Sequence, residues 1–345
     1  MPEFFSLPPS DQRDALEQTQ YETGRRLLLL EKDIWVVWAL DQLFSGPFRA
    51  SLVFKGGTSL SKVFHIIERF SEDVDITYDI RSLAPDLIDA AGGIYPRSRK
   101  QQIKWTSSIR IRLAAWIAED LKPYFERAIA DSGLKASVSI EGTDQLVIAY
   151  ASHGLAEPPA IPYVSSSVKL EFGARSTGEP CADHHVTCDA ATYLQDVSFP
   201  EGRPRVMSPE RTFWEKATAI HVFCLRGRAR DARFFSRHHH DVSRLHRSGT
   251  AEMAIRDRPL AAEVAKHKGL FFREHDRDGT VIDYQQAVSG QLNLVPKDVE
   301  CLSTLKEDYD RMMAEGLLPN GTEGFETLMD ECRTIEMQAN AYLRS

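Results

Sequence analysis

Nine large apolar residues, Trp105, Ile109, Leu113, Trp116, Ile117, Leu121, Tyr124, Phe125 and Ile129, recur mostly at three- and four-residue steps. That spacing predicts one long helix over 98–130 with a single buried stripe. A chain of 345 residues with 42% apolar content has enough material for the core such a stripe implies, in one large or two modest domains. The composition argues against disorder, collagen and coiled coil. The longest apolar run, Ile34 to Leu40, is too short to cross a bilayer. The N-terminus lacks the basic and apolar regions of a signal peptide. Five cysteines, an odd and small number for this length, point to a reduced cytoplasmic protein and not a disulfide scaffold.

The middle of the chain mixes strands with helices. A helical pattern over 10–45 is stopped by Ser45-Gly46-Pro47. SLVF (51–54) reads as a strand, 58–70 as a helix opened by Thr58 or Ser59, and VDITY (74–78) as the next strand. ASVSIEG and QLVIAY form a hairpin pattern across Gly142-Thr143-Asp144. In 165–175, Val168, Leu170 and Phe172 share one face while Lys169 and Glu171 share the other. Residues 176–206 show no period. From Pro209 the pattern is mostly helical, over 209–226, 229–248, 257–267, 297–315 and 323–342. The expectation is an α+β fold with a domain at 1–206 and a helical domain at 207–345.

Charge is unevenly placed. The net charge of -8 lies in residues 269–345, with 15 acidic and 7 basic side chains. Two segments are basic: 95–112 has six Lys/Arg and no acid, and 225–247 has seven Arg against two Asp. Each alone suits a solvated helix face; together they suit a phosphate-rich ligand.

Three features carry chemistry. Lys55-Gly56-Gly57-Thr58-Ser59 lies between strand and helix patterns, where paired glycines let backbone N–H groups approach a phosphate. Its spacing is not that of a Walker A loop, and a plain tight turn gives the same signature. In Arg69-Phe70-Ser71-Glu72-Asp73-Val74-Asp75-Ile76, the two aspartates point to one face of a strand. Side-by-side carboxylates raise each other's pKa unless a cation sits between them, and oxygen-only ligands suit Mg²⁺. The alternative is a solvated Asp pair. Glu171, on the polar face of its strand, is a third carboxylate that could complete a two-metal site, or it simply faces solvent. Gly-Gly, then D-x-D, then a distant apolar-Glu-apolar is the DNA polymerase β-like nucleotidyltransferase pattern, although the spacing from Gly57 to Asp73 is longer than its commonest form.

A fourth feature extends the pattern. ERTFWEKATAIH (210–221) places Arg211, Glu215 and Lys216 near a helix start, and SRHHHDVSRL (236–245) carries Arg237 and Asp241. With LLLLEKDIWVVWALDQLF, FKGGTSLSKVF, ERFSEDVDI, VKLEFGARSTGEP and LKEDYDRMMAEG, these blocks closely resemble the AbiEii/AbiGii-type toxin nucleotidyltransferase family over roughly residues 25–340. The resemblance implies a polymerase β-like nucleotidyltransferase core with a mixed sheet, N-terminal helices and a C-terminal helical domain. It implies a toxin of a type IV toxin–antitoxin or abortive-infection system, using an NTP and Mg²⁺ to modify RNA, with the tRNA 3′ end as acceptor. A cognate antitoxin protein is then an expected partner.

By motif match, the Lys55–Ser59 loop with Arg69 and Ser71 would meet the nucleotide. Asp73, Asp75 and Glu171 would hold two Mg²⁺ ions, and Lys216 would contact the triphosphate. Asp241 would be the acidic residue of the fourth motif. Ser71 falls where some relatives carry a Ser or Thr open to modification by the antitoxin. His238-His239-His240 departs from the aromatic residues many relatives have before that Asp.

Cys181, His184, His185 and Cys188 offer four zinc-type ligands in eight residues, too crowded for the usual two separated knuckles. Trp105 and Trp116 read as core residues. No hydrolase motif is visible. The competing readings are a nucleotidyltransferase acting on a protein or small molecule, and a non-catalytic nucleotide-binding module.

Overall fold

The computed structural model describes residues 1–71, 73–152, 165–319 and 321–345. Glu72, within the block ERFSEDVDI, lies outside them. The chain divides into two compact units. The first comprises Met1–Val63, Phe70–Ile94 and Ile103–Met207; the second comprises Phe64–Arg69, Tyr95–Gln102 and Ser208–Ser345.

The first unit is built on a mixed sheet. Its strands, with the short β7 and β8 between them in the chain, are β1 (Leu52–Lys55), β2 (Asp73–Tyr78), β3 (Ala136–Glu141), β4 (Gln145–Tyr150), β5 (Ser167–Gly173), β6 (Cys181–Asp183), β7 (Val186–Thr187), β8 (Glu201–Gly202) and β9 (Arg205–Met207). Among the described residues the main sheet runs β3-β4-β5-β2-β1-β9-β6, and β7 pairs with β8 apart from it. β2 runs parallel to β5 and β1 parallel to β9; the other neighbours in the main sheet are antiparallel.

Alternation decides which side chains meet. Val74 pairs in register with Leu170, and Ile76 with both Phe54 and Phe172, so these residues form rows across one face. All are buried. Helices α1 (Pro9–Thr23), α2 (Leu27–Ser45) and α3 (Gly56–Lys62) belong to this unit. The predicted helix over 10–45 is two helices, because Gly24 takes the left-handed conformation (φ 68°) and closes α1. The short α4 (Ile80–Leu83) and α5 (Pro85–Ala91) follow β2.

The long apolar stripe is a continuous helical run: α6 (Arg99–Trp116), a π-helical stretch Ile117–Leu121, and α7 (Lys122–Asp131). It buries the stripe against both α2 and the sheet. Trp38 meets Phe125 edge-on at 6.0 Å, and Trp116 meets Phe172 at 5.4 Å and Tyr78 at 4.7 Å. The aperiodic 176–206 supplies β6, β7, β8 and β9. These strands are too short to show a period of their own and exist through their ladder partners.

The predicted helix over 58–70 is corrected to α3, which ends at Lys62. His65 has φ 51°, and Ile67 and Arg69, two residues apart, are both buried in the second unit. A continuing helix would turn those two side chains away from each other.

The second unit is helical: α8 (Pro209–Arg226), α9 (Ser236–Arg247), α10 (Thr250–Arg256), α11 (Arg258–Phe271), α12 (Val299–Ala314) and α13 (Phe325–Arg344). Local chemistry sets α8. The Ser208 hydroxyl accepts from the Arg211 N–H, Pro209 opens the helix and Gly227 (φ 54°) closes it. The predicted helix over 229–248 is instead a 3₁₀ turn, Ala229–Ala232, followed by α9. The Asp308 carboxylate, from α12, accepts the Phe234 N–H at 2.8 Å and the Ser236 N–H at 3.1 Å, so a distant residue starts α9.

The charged segments of this unit neutralise each other. Arg226 pairs with Asp231 and Glu274, Arg244 with Glu323, and Arg247 with Glu323 and Glu331. Three of the seven arginines of the basic segment 225–247 thus have C-terminal acids as partners within this unit.

Candidate active site

One row of the sheet is polar. Lys55 of β1 pairs in register with Asp75 of β2, Asp75 with Glu171 of β5, and Glu171 with Gln145 of β4. Paired residues project to the same face, so four polar side chains stand side by side across four strands. Asp73 is on the same face one pleat along, beside Lys169. All six are half-buried, while the intervening Val74, Ile76, Leu170 and Phe172 are buried behind them.

The register explains why two carboxylates can be held together. The apolar face is buried and cannot slip by one residue without turning Val74 and Leu170 to solvent, so Asp75 and Glu171 are pinned opposite each other. Gln145 Nε2 donates to Glu171 Oε1 at 2.9 Å and orients it. Gln145 was not among the sequence-predicted site residues. Its signal was present but faint: it is the first residue after the hairpin turn, and only the β4–β5 register reveals its partner.

The Gly-Gly segment lies against the same row. Gly56 has φ 82°, and a Cβ built on it would run into the Asp75 carboxylate. Glycine is required there both for the backbone conformation and for the close approach. Gly57, Thr58 and Ser59 form the first turn of α3 and are buried. The Thr58 hydroxyl lies against the Ser71 carbonyl at 3.3 Å and donates to the Asp73 carbonyl, fastening α3 to the entry of β2. The Ser59 hydroxyl donates to the Gly56 carbonyl at 2.9 Å and so shapes the turn from within. Ser71 is half-buried.

α3 is anchored at its far end by a partly buried ion cluster. Lys62 Nζ lies 2.6 Å from both Asp33 Oδ1 of α2 and Asp189 Oδ1. The Asp189 N–H donates to Asp33 Oδ2 at 2.7 Å, and Arg25 also pairs with Asp189. Burial favours neutral lysine, but the two carboxylates outweigh it and hold the ammonium well above its ordinary pKa.

Arg69, Lys216 and Asp241 belong to the second unit, where they form one cluster. Asp241 Oδ1 accepts from Arg69 Nε at 2.6 Å, and Oδ2 accepts from Arg69 Nη2 at 2.8 Å. Lys216 Nζ is 2.8 Å from the same Oδ2. Asp241 is fully buried. Burial alone would raise its pKa, but Arg69 and Lys216 together hold it far below the usual carboxylate range. Arg211 and Glu215 pair with each other at 3.4 Å on α8.

Asp73, Asp75 and Glu171 are oxygen donors on adjacent strands of one face, which suits a hard cation. Among the described residues, no three His, Cys, Asp or Glu side chains already converge as a complete metal cage. An Mg²⁺ ion held by one or two carboxylates, with substrate phosphates and water filling its sphere, needs no such cage. The residues therefore fit the group. The Cys181-to-Cys188 segment is dispersed: Cys181 Sγ accepts from Arg205, Cys188 Sγ donates to the Pro200 carbonyl, and His185 pairs with Glu201.

Residues 38–331 match the family described as nucleotidyl transferase AbiEii toxin, type IV TA system. The chain belongs to this family. It is a nucleotidyltransferase of the AbiEii toxin group. Among solved structures it is similar to MenT4, a nucleotidyltransferase toxin from Mycobacterium tuberculosis H37Rv, at 16% identity and a TM-score of 0.46, over 98% of this chain and 90% of that one. No curated protein matches. No helix among the described residues is long and apolar enough to cross a membrane.

Proposed function

We propose that this AbiEii-family chain transfers a nucleoside monophosphate from an NTP to an RNA 3′-hydroxyl, with the tRNA 3′ end as acceptor, and so blocks translation in the cytoplasm. The observation that carries this reading is the in-register pairing of Asp75 with Glu171, with Gly56 packed against Asp75. That arrangement gathers carboxylates and a phosphate-approachable backbone at one point of the sheet.

When bound, Mg²⁺ supplies charge neutralisation and a lowered pKa for the attacking hydroxyl. Asp73 and Asp75 would hold it, and Glu171 would share that task or take the hydroxyl proton. Gln145 keeps Glu171 turned toward the row. The Lys55–Ser59 segment would meet the nucleotide phosphates, and Lys216 would neutralise the β- and γ-phosphates. Among the basic segments, Lys104 and Arg110 on the exposed face of α6 support an RNA acceptor. The ion pairing of Arg226, Arg244 and Arg247 favours a second reading, in which the acceptor is a protein or small molecule. An antitoxin protein is the expected regulator, and Ser71 is the residue where it would act.

The test is transfer of label from each α-labelled NTP to total tRNA with Mg²⁺, using Asp73→Ala and Asp75→Ala as controls. Label in tRNA with the wild type alone supports the proposal. Label in protein supports the second reading, and label with either variant overturns the assignment of the carboxylates.

A further inference from the structure

We propose that Asp241 is a positioning residue: its carboxylate meets neither substrate nor metal, and acts by holding the Lys216 ammonium and the Arg69 guanidinium in place. The part concerning Lys216 rests on the nucleotidyltransferase reading above.

The argument is one of acceptor capacity. Arg69 presents its Nε and Nη2 as a planar fork to both oxygens of Asp241, at 2.6 and 2.8 Å. Lys216 Nζ adds a third contact at 2.8 Å on Oδ2. The carboxylate is fully buried on α9. Three of the roughly four acceptor sites of this carboxylate are taken by a bidentate guanidinium and an ammonium, and the group is out of reach of water, so it can turn to a metal or a reacting proton only by giving up its burial or one of its cations. The same geometry gives it a different task. Lys216 is a point charge on a flexible stem, and the ion pair selects one position for it, spending one of its three donors.

Charge balance supplies the test. The cluster carries two cations and one anion. Asp241→Asn removes the anion and leaves two buried cations side by side, which is destabilising and frees Lys216 to move. Combining Asp241→Asn with Arg69→Gln returns the cluster to the original net charge and offers an amide pair in place of the ion pair.

Wild type, Asp241→Asn, the double variant, Lys216→Ala and Asp73→Ala would be compared. The measurements are NTP affinity in EDTA, KM and kcat for transfer, the Mg²⁺ concentration giving half-maximal rate, and the unfolding midpoint. We expect Asp241→Asn to weaken Mg²⁺-free triphosphate binding and raise KM by about tenfold to a hundredfold, as Lys216→Ala does. The Mg²⁺ midpoint should stay at the wild-type value, and the double variant should recover at least half of the lost binding on a logarithmic scale.

A shifted Mg²⁺ midpoint in Asp241→Asn, or a double variant that is unfolded or no better than the single one, overturns the proposal. If Asp241→Asn does not fold, the double variant alone decides in the same terms. Transfer persisting in Asp73→Ala would instead sink the reading of the site, while the binding measurement in EDTA would still judge Asp241.

Discussion

Asp75 and Glu171 face each other in register on neighbouring parallel strands, two like charges where packing alone would place none. Opposed like charges in a sheet are destabilising by about 0.2–1 kcal/mol. Asp75→Asn should therefore lower the transfer rate by about a thousandfold or more while the unfolding midpoint holds or rises. Parallel activity assays and thermal melts check this. A folded variant with wild-type activity would refute the role.

Gly56 has φ 82° and no room for a Cβ beside the Asp75 carboxylate. Gly56→Ala should lower stability by about 1–3 kcal/mol through backbone strain. It should also displace Asp75, so activity falls further than the lost stability explains. Denaturant titration with rates measured well below the transition separates the two effects.

Gln145 meets the proposed site through Glu171. Gln145→Leu should reduce transfer by about 10- to 100-fold, the usual effect of removing an outer orienting partner. Gln145→Asn, with a shorter reach to Glu171, should be intermediate. A rate unchanged in the leucine variant would show that Glu171 needs no such support.

Lys62 neutralises the buried Asp33 carboxylate and the half-buried Asp189. Lys62→Met should lower stability by about 3 kcal/mol, because it leaves the buried Asp33 carboxylate uncompensated while Asp189 keeps Arg25. A Lys62→Met variant as stable as wild type in urea would contradict this.

The imidazoles of His221, His239 and His240 are held by burial at pKa values of about 4, against an ordinary 6.5. The unfolded chain binds protons at these sites as pH falls through 6.5, while the folded chain resists until about 4. Stability is thus full above pH 6.5 and lost progressively down to about pH 4. The unfolding midpoint should fall by roughly 5 °C or more between pH 7 and pH 5. His239→Leu should flatten that slope; an unchanged slope would locate the acid sensitivity elsewhere.

Local patterns were legible where short-range physics decides. The alternation around Glu171 and the Gly-Gly turn are visible because strand period and positive-φ demand leave a mark on a few adjacent residues. α8 is visible from Ser208, Pro209 and Gly227 for the same reason. The start of α9 was not, since its cap is Asp308, and the end of α3 was not, since burial of Ile67 and Arg69 outweighs helical propensity.

By itself the sequence determined the α+β composition, the carboxylate-bearing strands and the family. Those follow from periodicity and motif order, which are written along the chain. The tertiary structure alone decided that Gln145 serves Glu171 and that Lys55 shares a row with Asp75. It also joined Arg69 and Lys216 on one carboxylate, and paired Arg226, Arg244 and Arg247 of the basic segment 225–247 with acids of the same unit. Each of these depends on which strands and helices become neighbours. That choice is made by burying the whole apolar surface at once, and no short window of residues records it.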